Sequence, residues 1–203
     1  MHNFHDAYGS FPLPGKTEAD FRDRYVDAQG RVLLSWRVHI LPYLGEANLY
    51  HQFHLDEPWD SAHNLTLLEK MPQIYAASEV GTKPGYTCIQ APCGKGTVME
   101  GGRGCKLKDI NDGTSDTVLL IRTNASLAVP WTKPADYDAA PEQAISGLYF
   151  ENDVTLFLLC NSLVQTLDRR TDRVKLPDGL KVSRMAAMFT IAGREELARL
   201  TPP

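Results

Sequence analysis

Proline cuts the helix-forming part of this chain into short pieces. Pro12 and Pro14 close off an opening stripe of Met1, Phe4 (or His5) and Tyr8. Pro42 interrupts a second stripe, Pro58 opens a turn, and Pro72 ends the helix that follows it. A helix interior does not accept proline, which lacks the N–H and clashes with the preceding turn. Helices this short are marginal alone in water, so each must be held by packing against the rest of the chain. Residues 1–8 therefore read as the end of a helix, with Gly9 at the left-handed C-cap position. An upstream portion carrying an address and an assembly function is the expectation that follows.

Further on, Ser35 has the chemistry of an N-cap, and Trp36, His39, Ile40 and Tyr43 follow at the spacing of one buried helical stripe. Leu49, Tyr50 and Phe53 form the next stripe. Asp60 or Ser61 is placed to cap a helix whose buried face is Leu65, Leu68 and Met71. Residues 9–75 thus read as mostly helical beyond an opening loop.

The pattern changes after Tyr75. Residues 85–89 and 117–121 read as strands, and 154–159 and 163–167 as a hairpin about Asn161 and Ser162. Residues 94–104 form a glycine-rich loop and 130–143 a loop bearing Pro and Asp. Residues 183–200 offer two short helices. Strands dominate residues 85–168 and follow one another without long crossovers, which predicts an α+β fold: a helical N-terminal part packed on a mainly antiparallel sheet, in one domain over 1–203.

Composition narrows the function classes. At 43% hydrophobic and 23% charged the chain has a globular balance. Its net charge of −4 gives nucleic acid no electrostatic footprint, and Asp168 and Asp172 dilute the local cluster of Arg169, Arg170, Arg173 and Lys175. No apolar run is long enough to span a bilayer, so no membrane contact is expected for the chain as given. Cys88, Cys93, Cys105 and Cys160 include no C-x-x-C pair. Cys88 and Cys93 would bridge if the segment between them turned back; free thiols fit equally well.

Four groups of residues invite chemistry. His54, Asp56, Asp60 and His63 are the densest set of zinc or iron ligand types, to which His2 and His5 would add if the fold brought them near. Asp109, Asn111, Asp112 and Asp116 have the oxygen ligands of a calcium loop, but not the EF-hand register, and otherwise read as a turn before a strand. Cys88 or Cys160 with His39 or His63 would be the thiol–imidazole option. Trp36, Trp59 and Trp131 suggest a sugar platform; Trp59 and Trp131, with the 94–104 loop, make the solute- or glycan-binding alternative. There is no G-x-S-x-G and no Walker loop.

Five runs in order carry a resemblance: MHNFHDAYG (1–9), LSWRVHILPYL (34–44), EPWDS (57–61), DGTSDT (112–117) and VPWTKP (129–134). The chain resembles a large planctomycete family of unknown function, DUF1559, labelled prepilin-like or type II secretion pseudopilin-like. Its motif residues are Trp36, His39, Trp59, Asp60, Asp112, Gly113, Thr114, Ser115 and Trp131, and the likeness runs to about residue 193. The resemblance implies a non-enzymatic globular head without cofactor, borne on an N-terminal apolar helix that is missing here. It also implies an inner-membrane anchor, a periplasm-facing location, and protein partners in a pilus-like or secretion assembly if that helix is present. The chain departs from the family where Ala76 and Ala77 replace a usual Cys-Pro, at Cys160 and Asn161, and at residues 192–195.

Overall fold

A computed structural model describes residues 1–12, 27, 31–76, 82–100, 105–139, 144–175 and 181–191. The helices are as short as the prolines require. They are α1 (His2–Tyr8), α2 (Trp36–His39), α3 (Ala47–Tyr50) and, near the C-terminus, α4 (Arg184–Met188). Gly9 ends α1 at φ 73°, with its N–H bonded to the His5 carbonyl. The Ser35 hydroxyl caps α2 by accepting the Arg37 N–H. Pro42 does not end the run but tightens it, so that α2 passes into a 3₁₀ turn over Leu41–Leu44.

Two helical expectations are corrected. Every residue from Leu33 to Leu41 is buried, so α2 sinks whole into the interior rather than presenting one stripe. The helix after the Pro58 turn is a 3₁₀ helix, Asn64–Lys70, capped by the Ser61 hydroxyl and not by the exposed Asp60. At three residues per turn the inward positions are Asn64 and Leu67. Leu65 points outward, 46% exposed, and Leu68 is half-buried.

The described residues also form ten strands: β1 (Tyr86–Thr87), β2 (Ile89–Gln90), β3 (Pro92–Cys93), β4 (Val118–Arg122), β5 (Val129–Pro130), β6 (Tyr137–Asp138), β7 (Val154–Leu159), β8 (Val164–Asp168), β9 (Arg173–Lys175) and β10 (Lys181–Ser183). The largest sheet is antiparallel in the order β2-β4-β7-β8. Pairs β1-β5 and β9-β10 are also antiparallel, while β3-β6 is parallel. The α+β class stands. The run 85–89 splits, because the chain changes partner at Cys88. Thr87 Oγ1 takes the Ile89 N–H, and the Cys88 carbonyl accepts from Thr123. The 130–143 loop in turn holds the end of β5 and all of β6. Gly85 lies against the preceding 3₁₀ helix at φ 75°; a Cβ there would come within 2.7 Å of the Leu68 carbonyl oxygen.

Three apolar clusters fill the interior. The first joins Phe4 of α1 to the buried α2–α3 segment, Leu67, Tyr75 and Trp131. A second lies between α4 and one face of the large sheet, with Val118, Ile121, Phe157 and Leu159 against Met185 and Phe189. The third gathers Phe11, Val98, Ile110 and Leu119 with Cys105 and Cys160. α4 starts at Ser183, whose hydroxyl accepts the Ala186 N–H. The expected helix over 195–200 lies outside the described residues.

The 3₁₀ register makes a direct prediction. Leu67→Ala should cost about 2–5 kcal/mol of unfolding free energy, and Leu65→Ala less than about 0.5 kcal/mol, in urea titrations of the two variants.

Candidate functional site

The most heavily bonded polar centre is one that sequence reasoning missed. Arg37, on α2, is 0% exposed, and its guanidinium meets Asp136, just ahead of β6, at 2.7 Å. Its Nε and Nη2 donate to the Ile89 carbonyl at 3.0 and 2.8 Å, and Nη1 donates to the Ser35 hydroxyl at 2.8 Å. Asp136 Oδ1 also accepts the Ala91 N–H at 2.9 Å, and the Trp36 indole N–H lies 3.2 Å from both carboxylate oxygens. Burial pushes the Asp136 carboxyl above its ordinary range, while Arg37, the Ala91 amide and the Trp36 indole pull it back. The available signal was an arginine inside an otherwise apolar run, which needs a buried carboxylate somewhere in the chain.

Asp136 forms part of the wall of a cleft of about 540 Å³, lined also by Gln90, Asn124, Leu127, Val129 and Asp138. Its lining contains no His, Cys, Lys or Arg. Asp136 already serves three donors, so it is a structural acceptor rather than a spare acid or base.

The proposed metal ligands are arranged otherwise than an ion needs. The His54 and His63 rings stack face to face, with centroids 3.5 Å apart and planes 2° from parallel. A metal lies in the plane of each imidazole that binds it, at about 2 Å from nitrogen. Planes 3.5 Å apart and parallel leave no point in both. His54 Nδ1–H donates to Glu57 at 2.9 Å, and His63 Nε2–H donates to the Gln52 carbonyl at 2.7 Å. The bond from His54, first, and one from Ser61 hold the Glu57 carboxyl below its usual range. Asp56 and Asp60 are exposed nearby. The residue that shapes this turn is Asn64: it accepts from His54 N and donates to the carbonyls of His54, Glu57 and Pro58. His2 packs edge-on against Phe11, and His5 Nε2 accepts the Leu107 N–H, so both seat α1.

The calcium-loop residues also divide. Asp112 is buried, whereas Asp109, Asn111 and Asp116 are exposed. Asp109 accepts from Lys106 N, and Gly113 turns the chain at φ 90°. Thr117 Oγ1 donates to the Gly113 carbonyl, and the Thr114 carbonyl and Ser115 hydroxyl accept from Asn161. The run ties the entry to β4 to the β7–β8 turn. Among the described residues no group of three or more His, Cys, Asp or Glu is gathered for a metal ion.

For Cys160 and His39 the thiol–imidazole option meets the wrong electrostatics. Burial pushes the Cys160 thiol up to about 12, with Cys105 adding to it. The same cause moves Cys93 to about 12 and Cys105 to about 11. It holds His39 neutral down to about 3, against the pull of a hydrogen bond to the Leu34 backbone. Burial thus opposes both thiolate and imidazolium. Cys88, Cys93, Cys105 and Cys160 form no disulfide, so the bridge between Cys88 and Cys93 is not made. Trp131 is fully buried, stacked on Tyr75, with its indole N–H donated to the Leu68 carbonyl. Trp36 is buried as well, so neither offers a face to a sugar. Trp59 alone of the three is half-exposed, with Lys133 over its ring.

Residues 1–95 match the model of a family described as a protein of unknown function (DUF1559). This stretch is similar to DUF1559. It contains α1, the LSWRVHILPYL segment and the Pro58 turn, while the DGTSDT and VPWTKP runs fall beyond it. No curated protein and no solved structure matches the chain.

Two outcomes are expected from this geometry. Arg37→Met strands the Asp136 carboxylate inside the protein and should cost about 3–5 kcal/mol. Adding Asp136→Leu should recover much of that loss, as a double-mutant cycle by chemical denaturation would read. His39 takes up a proton near pH 6.5 when unfolded but stays neutral to about 3 when folded. The unfolded state therefore binds more protons between those values, and stability falls as the pH drops through that window. From about pH 7 to pH 5 this residue should account for a loss of about 2 kcal/mol. His39→Gln should show a correspondingly shallower pH dependence in the same titration.

Proposed function

We propose that this chain is the non-enzymatic globular head of a pseudopilin-like protein of the cell envelope, working by assembly with protein partners rather than by chemistry. The observation that carries the reading is the seating of α1. Phe4 is 2% exposed and packs its ring against Tyr8 and Tyr43. Met1 touches both the first and the third apolar cluster, and His5 is bonded to Leu107. A helix rooted in two cores transmits force and orientation from whatever it joins to the body of the head. The side chains with reactive chemistry are spent on caps, turns and packing, which suits a scaffold. The match of residues 1–95 to DUF1559 is compatible with this role and does not itself specify it.

The cleft beside Asp136 keeps a solute-binding role as the second reading. It rests on that cleft alone, since Trp131 is interior.

The first reading predicts that antibody against this head, applied to fractionated cells that make the native gene product, detects it in the membrane fraction. Cross-linking there should capture it with other envelope proteins. A product found wholly in the soluble fraction and uncross-linked would contradict the assignment.

A further inference from the structure

The large sheet ends in β8, and the hydrogen-bonding pattern of β7 and β8 shows what that edge offers. Bonds from Leu159 N to the Leu163 carbonyl and from Arg169 N to the Asp153 carbonyl bracket the ladder. The register between them pairs Phe157 with Gln165 and Thr155 with Leu167. In an antiparallel pair bonded and non-bonded positions alternate. The main-chain groups of Gln165 and Leu167 therefore face β7, and those of Val164 and Thr166 face away from it. Among the described residues no strand pairs with that outer side. Val164 is 64% exposed, Leu163 59% and Leu156, on the adjoining strand, 47%.

Proteins commonly guard a sheet edge with lysine, proline, a bulge or an inward charge. Residues 162–167, Ser-Leu-Val-Gln-Thr-Leu, contain neither charge nor proline, and the β7–β8 register is unbroken. The bulge in this sheet lies between β4 and β7 instead. An edge of this kind is a template for an added strand.

We propose that β8 is a dimerisation edge, pairing antiparallel with β8 of a second copy of this chain about a two-fold axis at Gln165. The sequence is self-complementary in that register. Val164 falls opposite Thr166 of the second copy, and each such pair exchanges both N–H···O=C bonds. Asp168 falls opposite Ser162 of the second copy, so the symmetry does not set carboxylate against carboxylate. Asp168 is already neutralised by Arg170 of its own chain, whose N–H groups, side chain first, hold its carboxyl down to about 2. Val164 meets a β-branched Thr166 on the face that carries Leu156, a favourable cross-strand pair. Because the same patch serves both copies, the contact closes at two and does not propagate along this edge.

Two substitutions test the edge without touching the core. Thr166→Pro removes an N–H that faces away from β7, so the β7–β8 ladder keeps its bonds. Val164→Lys places a charge on each side of the two-fold axis. Analytical ultracentrifugation of the intact chain over the micromolar range should show a dimer. Both variants, with circular dichroism matching wild type, should sediment as monomers or dissociate at least about tenfold more readily. If Thr166→Pro fails to fold, Val164→Lys decides. A wild-type chain that stays monomeric, or a dimer that persists in either folded variant, overturns the proposal.

Discussion

The Arg37–Asp136 ion pair is the constraint around which the described parts of this protein are arranged. The helical segment from Leu33 to Leu41 is interior along its whole length, so its one cation has no route to water. A guanidinium in that position is tolerable only when its donors are met together. Here they are met by Asp136, the Ile89 carbonyl and the Ser35 hydroxyl. Those partners come from the β2 strand, the segment before β6 and the cap of α2 itself. The planar fork of arginine spans the three; the point charge of lysine would not. A pair of this kind adds little net stability compared with a well-packed apolar replacement, because two charges must leave water. What it fixes is register: Asp136 accepts from Ala91, and Tyr137 N–H bonds the Ala91 carbonyl, so the parallel β3-β6 pairing is set from the same point.

The same burial that demands the pair also silences the groups that look reactive in the sequence. His39 shares the α2 segment and is held neutral. Cys160 and Cys105 share the third cluster and are held as thiols. Trp36 and Trp131 spend their indole N–H groups on Asp136 and the Leu68 carbonyl.

Much of this was legible in the sequence wherever one residue decides the local outcome. Gly9 and Ser35 announce helix ends, and the two apolar runs about Asn161 and Ser162 announce a hairpin. The aliphatic run 117–121 announces the central strand β4. The failures have a common physical cause. A 3.6-residue period turns Leu65 inward, whereas the helix that forms there has 3.0 residues per turn. Periodicity over seven residues does not separate the two. The strand break at Cys88 depends on a side-chain bond from Thr87, and β6 depends on Asp136 being captured from 99 residues away in sequence. Asn64 escaped notice because its four bonds close a turn that carries no repeating pattern. Contacts that join distant segments leave no local signature.

That separation between local signal and distant contact also bears on the extent of the family match. The matched stretch ends at residue 95, yet it does not complete its own interior. Arg37 takes its carboxylate from residue 136, and the first apolar cluster takes Trp131, whose indole closes on Leu68 and whose ring stacks on Tyr75. Ser35 N bonds the Thr132 carbonyl, and Thr123 N bonds the Cys88 carbonyl. Residues 1–95 left by themselves would hold a buried guanidinium without an anion and a cavity where an indole belongs. The sequence beyond residue 95 is therefore bound to the matched part by the same bonds that order it. Changes at Asp136 or Trp131 therefore reach into the interior of residues 1–95.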